Sequence, residues 1–370
     1  MRIAIQIIRI ITGLLFIFSG LVKAIDPRGL AYKMQEFFEA WANAGYLKSF
    51  MPVLNDHALA FSIIMITLEV VVGVAILLGW QRKFMIWVLL LLMLFFTFLT
   101  SYVLFSGKIK ACGCFGDCIP ITPEQTFTKD IILVLFSFAL LIRQRWLTPV
   151  FKPALNGMLV LLALLGTLGL QWYVLRHLPV VDCLPFKKGN NIVTLSKMPE
   201  NAIQDKFEYR FLYEKNGEAK EFTTDALPDS SWTFKERKQT LVMKGSNNVP
   251  LVNDFSFTSS EGVPVTDSIL SIPGKYYLYF IRDLPADESW VKLYREFFNK
   301  AKAQSAPVFI STSHAAEVQL FFAKNNLAAE GFYSTDATAI KTAARTNPAA
   351  LEMKGPVITN KKSWADVNEF

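Results

Sequence analysis

The chain has 370 residues, of which 52% are hydrophobic and 19% charged, and its formal net charge is +7. Apolar residues dominate residues 1–178 and thin out afterwards, which is typical of a membrane-embedded half joined to a soluble half. Lys and Arg lie at the ends of apolar segments and across the soluble half, without a basic block or basic–aromatic interleaving. The charge therefore gives no support to nucleic-acid binding, and membrane topology explains much of it.

Five apolar stretches are long enough to cross a hydrocarbon core, which takes about 20 residues of helix. They predict helices at about 3–23, 57–80, 84–106, 128–145 and 154–177. The first stretch lacks a small-x-small cleavage site, so we expect a retained helix rather than a signal peptide. Residues 1–178 are therefore predicted to form a transmembrane domain surrounded by membrane lipids.

The short loops between these helices carry the orientation signal. Residues 81–83 (QRK) and 143–146 (RQRW) are basic, so we expect both loops and the N-terminus in the cytoplasm. Loops 24–56 and 107–127, and everything after residue 178, then face outward, which is the periplasm for a bacterial inner membrane. Helical spacing within loop 24–56 predicts an amphipathic helix at the outer membrane surface.

All four cysteines fall on this outward side. Cys112, Cys114 and Cys118 lie within ACGCFGDC (111–118), and Cys183 follows the last membrane helix. In a bacterium this side is oxidising, so disulfides form and persist there. Three complete pairings are open. The three histidines of the chain are not at ligand spacing to the cluster, so no metal site is expected.

Two interpretations of the cysteine cluster stay open. The cysteines form structural disulfides that hold the outer loops, or they exchange disulfides with a partner, which labile and exposed bridges favour. A bridge from Cys112 to Cys114 would close a very small ring, and a bridge from either residue to Cys118 closes more easily. Cys183 can also reach the cluster, where its thiol would resolve a mixed disulfide or act on the side of the substrate.

Ionisable residues also occur within the predicted membrane helices. Glu69 lies near the middle of the second helix, where a charge is costly and marks a functional-site candidate. Lys23, at the end of the first helix, and Arg9, nearer its start, are alternative partners for this carboxylate. An ion pair that fixes helix packing, a proton relay and a quinone contact are the interpretations of this group.

The first helix also carries a family resemblance. Residues 9–30 (RIITGLLFIFSGLVKAIDPRGL) and Glu69 resemble the DoxX/MauE membrane family, and CGCFG (112–116) resembles its MauE branch. The resemblance covers about residues 1–145 and implies a four-helix bundle, to which this chain adds one helix. It also implies an inner-membrane role in redox chemistry or in the maturation of disulfide-containing proteins.

The architecture is similar to the vitamin K epoxide reductase type of thiol oxidoreductase. By that analogy Cys112 and Cys114 would be the redox pair, Cys118 an additional thiol, and a quinone a candidate cofactor. The chain lacks the Cys-x2-Cys motif of that type, and no cofactor motif is evident in its sequence.

Residues 179–370 are predicted to form a soluble α/β domain. Alternating strands and helices support this class, and residues 252–281 resemble the opening of a periplasmic thioredoxin-like domain. The end of the chain resembles the proline turn of that fold, with Pro348 as a candidate cis-proline. Residues 282–290 (RDLPADESW), where the resemblance implies a redox Cys-x2-Cys, contain no cysteine. The domain would then be a degenerate thioredoxin-like module that binds a partner.

Residues 188–250 add a β-rich segment with a hairpin turn at Asn216-Gly217, which we interpret as an insertion or an elaborated edge of the same lobe. A membrane part followed by such an outward domain resembles an arrangement associated with Bacteroidota.

Two functions fit the sequence. The first is a periplasm-facing redox protein whose cysteines exchange disulfides with a client, with catalysis left open. The second is a non-enzymatic scaffold or accessory subunit of an inner-membrane secretion or envelope-biogenesis complex. A transporter has little support, because no inverted repeat is present.

Overall fold

A computed structural model describes residues 1–109, 113–243 and 245–370 of the chain. Its N-terminal part is helical, with α1 (Arg2–Ala24), α2 (Pro27–Asn43), α3 (Met51–Asp56), α4 (Ala58–Leu78), α5 (Arg82–Ser106), α6 (Pro123–Ile142) and α7 (Pro153–Arg176). Among the described residues, five of these helices are long and apolar enough to cross a membrane: α1, α4, α5, α6 and α7. The expected set of five apolar helices is therefore confirmed.

The fourth membrane helix, α6, begins earlier than the sequence analysis expected, at Pro123 rather than about residue 128. Thr122 and Gln125 form a capping box, in which the side chain of each residue accepts a hydrogen bond from the backbone N–H of the other. Pro123 takes the first helical position, where its missing N–H is not needed. This early start places Lys129 and Asp130 in the second turn of the helix rather than at its first residues.

Helices α1 and α4 are in direct backbone contact at glycines. A Cβ atom added to Gly13 would lie 3.0 Å from the carbonyl oxygen of Gly73, and a Cβ atom on Gly73 would lie 2.9 Å from that of Gly13. Gly20 lies equally close to Val70 further along the same contact. Small residues allow helices to approach closely in this way, and the contact brings the end of α1 beside the middle of α4.

The loops form two groups at opposite ends of the bundle. At one end, the Arg82 side chain donates to the carbonyl of Leu147 (2.7 Å) and the Val150 N–H donates to that of Leu78 (3.0 Å). The two basic loops expected on one side of the membrane therefore meet. At the other end lie α2, α3, the loop between α5 and α6, and the C-terminal part of the chain.

The C-terminal part contains α8 (Ile192–Leu195), β1 (Lys206–Lys215), β2 (Glu218–Thr223), β3 (Thr233–Met243), α9 (Thr266–Leu270), β4 (Lys275–Ile281), α10 (Ser289–Ala303), β5 (Val308–Thr312), α11 (Ala315–Lys324), β6 (Gly331–Ser334), α12 (Ala337–Ala343), β7 (Ala349–Lys354) and β8 (Val357–Ser363). In the described chain, five strands form a sheet in the order β6-β5-β4-β7-β8. Strands β4, β5 and β6 run parallel, and β7 and β8 run antiparallel to their neighbours. The central strand β4 is buried on both faces, as expected for a sheet covered by helices.

This α/β domain is compatible with the thioredoxin-like arrangement expected from the sequence. The Asn347–Pro348 peptide bond is cis, as predicted for Pro348. Strand β4 ends at Ile281 and is followed by the cysteine-free stretch 282–290, which leads into α10.

Residues 206–243 form a separate, largely exposed sheet in the order β2-β1-β3. The predicted hairpin turn is present, with positive φ angles at Asn216 (54°) and Gly217 (85°) between β1 and β2. The sequence analysis treated this segment as an insertion or an elaborated edge. Within the described residues its strands pair only with one another, and aromatic side chains meet edge to face across them, such as Tyr213 and Phe234.

Candidate functional site

The cysteine loop, comprising residues 113–118, lies between α5 and α6 at the end of the bundle opposite the two basic loops. Cys112 lies outside the described residues. Gly113 and Gly116 have positive φ angles of 74° and 60°, and the Gly116 N–H donates to the Gly113 carbonyl (2.9 Å). Glycine adopts this left-handed backbone without steric cost, so the two glycines of CGCFG form the tight turn that carries Cys114.

The membrane helices hold this loop through two of its residues. The hydroxyl of Ser19 on α1 donates to the carbonyl of Cys114 (2.9 Å). The Phe115 ring lies 6.0 Å from the Phe18 ring and 5.0 Å below the ammonium of Lys129 on α6. Cys114 is therefore held between α1 and α6.

Cys118 forms a disulfide with Cys183, and their Cα atoms are 5.0 Å apart. The bond joins the cysteine loop to the segment that follows α7, 65 residues later in the chain. The sequence left this pairing open. Because Cys118 is bonded to Cys183, it is not available to form a disulfide with Cys112 or Cys114, the pair that the resemblance implies for redox chemistry.

Lys23 and Glu69 form an ion pair across the α1–α4 contact. Their Nζ and Oε2 atoms are 2.5 Å apart, and the two side chains are only 4% and 5% exposed. Arg9 does not contact Glu69. Its guanidinium donates instead to the carbonyls of Ile76 (2.9 Å) and Thr148 (3.0 Å), at the opposite end of the bundle.

A second ion pair, which the sequence analysis missed, lies on α6. The Lys129 Nζ atom is 2.9 Å from Asp130 Oδ1, and the Asp130 side chain is 1% exposed. The predicted helix at 128–145 already contained both residues, and this adjacent Lys-Asp pair was the sequence signal that could have revealed the ion pair. Ionisable groups at this depth are costly and mark functional-site candidates.

Both ion pairs and Cys114 line one small cavity inside the bundle. Its volume is about 30 Å³, room for a water-sized molecule. The Asp130 Oδ2 atom is buried and has no hydrogen-bond partner among the described residues. The structure thus brings Cys114, Lys23 and Glu69 together, whereas Arg9 and the Cys118–Cys183 disulfide lie outside this cavity.

The arrangement places a cysteine beside a lysine in a buried site. The ammonium of Lys129 is close enough to Cys114 to interact with it electrostatically. A neighbouring cation stabilises a thiolate, which is the nucleophile in disulfide exchange. Within residues 1–109, 113–243 and 245–370, no group of three His, Cys, Asp or Glu side chains is placed to hold a metal ion.

The segment after α7 connects the cysteine loop to the α/β domain. The Lys361 ammonium on β8 donates to Asp182, beside Cys183 (2.8 Å), and burial lowers the pKa of Lys361. His177 at the end of α7 contacts Asp366 near the C-terminus (2.8 Å). The domain is therefore attached to the membrane part at the same end as Cys118.

Comparisons with known proteins agree with a membrane part of this kind. The family model described as "Methylamine utilisation protein MauE" matches residues 1–143, and a domain of unknown function, DUF8463, matches residues 207–244. Protein TlpB of Flavobacterium psychrophilum is 34% identical over 132 residues, which are 34% of this chain and 33% of that protein. The chain thus matches about a third of that relative's length. No solved structure matches the chain. Its membrane part is MauE-like.

Proposed function

We propose that this MauE-like membrane protein carries out thiol–disulfide exchange at the periplasmic surface of a bacterial inner membrane, with Cys112 and Cys114 as the exchanging pair. The observation that carries the proposal is the cavity that Cys114 shares with the pairs Lys23–Glu69 and Lys129–Asp130. Two buried ion pairs beside a cysteine are costly to maintain in a membrane bundle, which favours a chemical role for the group.

The thiol–disulfide exchange itself needs no bound cofactor or metal ion. A thiolate of a client protein attacks the disulfide formed by Cys112 and Cys114, and the sulfur–sulfur bond breaks as a mixed disulfide forms. The second client thiol then displaces the protein's sulfur. Two electrons and two protons pass from the client to the pair, and the client leaves as a disulfide. A second couple, another protein disulfide or a membrane quinone, takes the electrons in turn.

The location proposed for this chemistry rests on the disulfide and the loops. Disulfides persist in oxidising compartments, and the Cys118–Cys183 bond lies at the end of the bundle opposite the basic loops. Basic loops belong in the cytoplasm. Cys118 and Cys183 would serve as a structural bond that holds the exchanging loop in place.

We expect Cys114→Ser to abolish exchange while the protein still accumulates in the membrane. The test is a single turnover in which oxidised full-length protein, in lipid nanodiscs, meets a reduced peptide with two cysteines. Lys129→Met should slow the reaction about tenfold, equivalent to about 1.4 kcal/mol of lost thiolate stabilisation. The matched control is the double variant Cys118→Ser/Cys183→Ser. It should lose about 2–4 kcal/mol of stability and exchange more slowly, because the loop loses an anchor, but unlike Cys114→Ser it should not lose exchange, since Cys112 and Cys114 remain.

A scaffold function is the second candidate. The α/β domain supports it, because no cysteine follows β4 and the domain is attached to the membrane part by its own ion pairs. If Cys114→Ser exchanges disulfides at the wild-type rate, the redox proposal fails and the scaffold function takes its place. Co-purification of an inner-membrane complex with the unmodified chain would then be the next experiment.

A further inference from the structure

Arg345, just after α12, reaches from the α/β domain into the membrane part. Its Nη2 atom contacts Asp117 in the cysteine loop (2.5 Å), and its Nε atom lies 2.7 Å from Asp26 at the start of α2. The arginine side chain is 7% exposed. The Nη2 atom donates to Asp117, whereas Asp26 is held by charge and proximity alone, because the Nε atom has no hydrogen-bond partner among the described residues. A buried guanidinium with this one directed, charge-assisted hydrogen bond fixes the carboxylate that accepts it.

The arginine is itself held firmly within its own domain. Its Nη1 atom donates to the carbonyl of Lys341, one turn earlier (2.9 Å). Two residues later, Asn347 is fixed to the end of β4, where it accepts from the Arg282 N–H (2.9 Å) and donates to the Asp283 carbonyl (2.6 Å). The position of Arg345 therefore follows that of the five-stranded sheet.

Tyr32 on α2 adds a second contact at the same place. Its hydroxyl accepts a hydrogen bond from the Arg282 guanidinium (2.8 Å). Its ring lies 5.1 Å from the ammonium of Lys341 and 5.4 Å from the guanidinium of Arg345. Cations over an aromatic face are attracted to it, more strongly when water is excluded. The α/β domain is thus docked on α2 as well as on the loop.

Asp117 is the point at which this docking reaches the cysteines. Cys114 and Phe115 are held by the membrane helices, and Cys118 by its disulfide. Asp117 lies between them and is held by the α/β domain through Arg345. Without this contact, only the backbone turn would fix the conformation of the loop between Phe115 and Cys118.

We infer that Arg345 is a positioning residue of the exchange site, through which the α/β domain sets the conformation of the loop that carries Cys114. The inference rests on the proposed function in taking Cys114 as the exchanging cysteine. It gives the α/β domain, which lacks a Cys-x2-Cys after β4, a role that needs no client: the domain holds the protein's own cysteine loop.

The test compares Arg345→Gln and Asp117→Asn with the wild-type protein, as full-length chains in lipid nanodiscs. After mild reduction, the rate at which N-ethylmaleimide modifies Cys114 is measured by mass spectrometry of the peptide that contains it. Both variants should change this rate by about fivefold or more, the scale expected when a charge-assisted anchor of a loop is lost. Asp117→Asn keeps the contact between Arg345 and Asp26, so the domain stays docked and the variant should fold.

Asp366→Asn is the matched control, because it weakens another contact between the same two parts of the chain, the hydrogen bond with His177, without touching the loop. It should leave the modification rate of Cys114 unchanged. Arg345→Lys should give an intermediate rate, since a lysine keeps the charge but not the two-directional contact.

Wild-type modification rates in both Arg345→Gln and Asp117→Asn would overturn the inference. An equal change in Asp366→Asn would also overturn it, because loss of docking in general would then explain the effect. Failure of the proposed function has a different signature: Cys114→Ser would retain exchange, whatever the modification rates are.

Discussion

Lys23 and Glu69 place opposite charges inside the membrane bundle with their charged atoms 2.5 Å apart. The Lys23 ammonium also lies 5.2 Å from the Phe96 ring, so the cation is surrounded by one carboxylate and an aromatic face. Removing water from two charges is costly, and their attraction repays the cost only while both are present. Single and double substitutions of this pair should therefore differ in their effect on the free energy of unfolding.

We expect Lys23→Met and Glu69→Met each to lower the free energy of unfolding by about 3–5 kcal/mol, because each leaves an uncompensated buried charge. The double variant Lys23→Met/Glu69→Met should cost less than either single change. Chemical denaturation in detergent micelles measures all three. Additive losses would mean that the two side chains are not coupled.

At the scale of elements, the contact between α1 and α4 decides whether that pair can form. Gly13, Gly20 and Gly73 leave no room for side chains between the two helices. Larger residues would push the helices apart and draw Lys23 away from Glu69. The glycines thus act on the candidate site through packing, at a distance from the cysteine loop.

Gly73→Ala should lower the free energy of unfolding by about 1–3 kcal/mol, the range for overpacked cores. Gly166→Ala in α7 is its control, since a Cβ atom there meets nothing within 4 Å and alanine favours the helix. Thermal denaturation in nanodiscs compares the two. Equal stability of both variants would contradict a close contact between α1 and α4.

Hydropathy was sufficient to predict the apolar helices and the grouping of their loops, because both depend on local sequence. The start of α6 was misplaced because the hydropathy of residues 128–145 outweighed the polar capping signal at Thr122. The pairing of Cys118 with Cys183, and the role of Arg345, could not be predicted. Both depend on how sequence-distant segments dock, which neither spacing nor composition records.

At the scale of the whole molecule, the two halves are joined by ionic contacts whose cations are buried. Besides Arg345, Lys361 of β8 contacts Asp182 in the connecting segment. Burial lowers the pKa of Lys361 below its ordinary value of 10.5, and the Asp182 carboxylate offsets only part of this effect. Stability should therefore depend on pH through this lysine.

Between the lowered pKa and 10.5, the unfolded chain holds a proton that the folded protein has released, so the free energy of unfolding rises with pH. We expect the wild-type protein to gain stability relative to Lys361→Met as the pH is raised from neutral to about 10. Thermal denaturation of both proteins across this interval measures the difference. Parallel pH profiles would show that Lys361 does not titrate in this way.

The long sequence separations at the cysteine loop set the order in which a newly made chain can complete it. Cys118 must wait for Cys183, 65 residues later, by which time α6 and α7 have been synthesised. Asp117 must wait for Arg345, which is synthesised 228 residues later. The cysteine loop therefore reaches its final conformation only after the α/β domain has been made as far as Arg345, so a chain that stalls before that residue has a membrane bundle whose cysteine loop is not yet anchored by this domain.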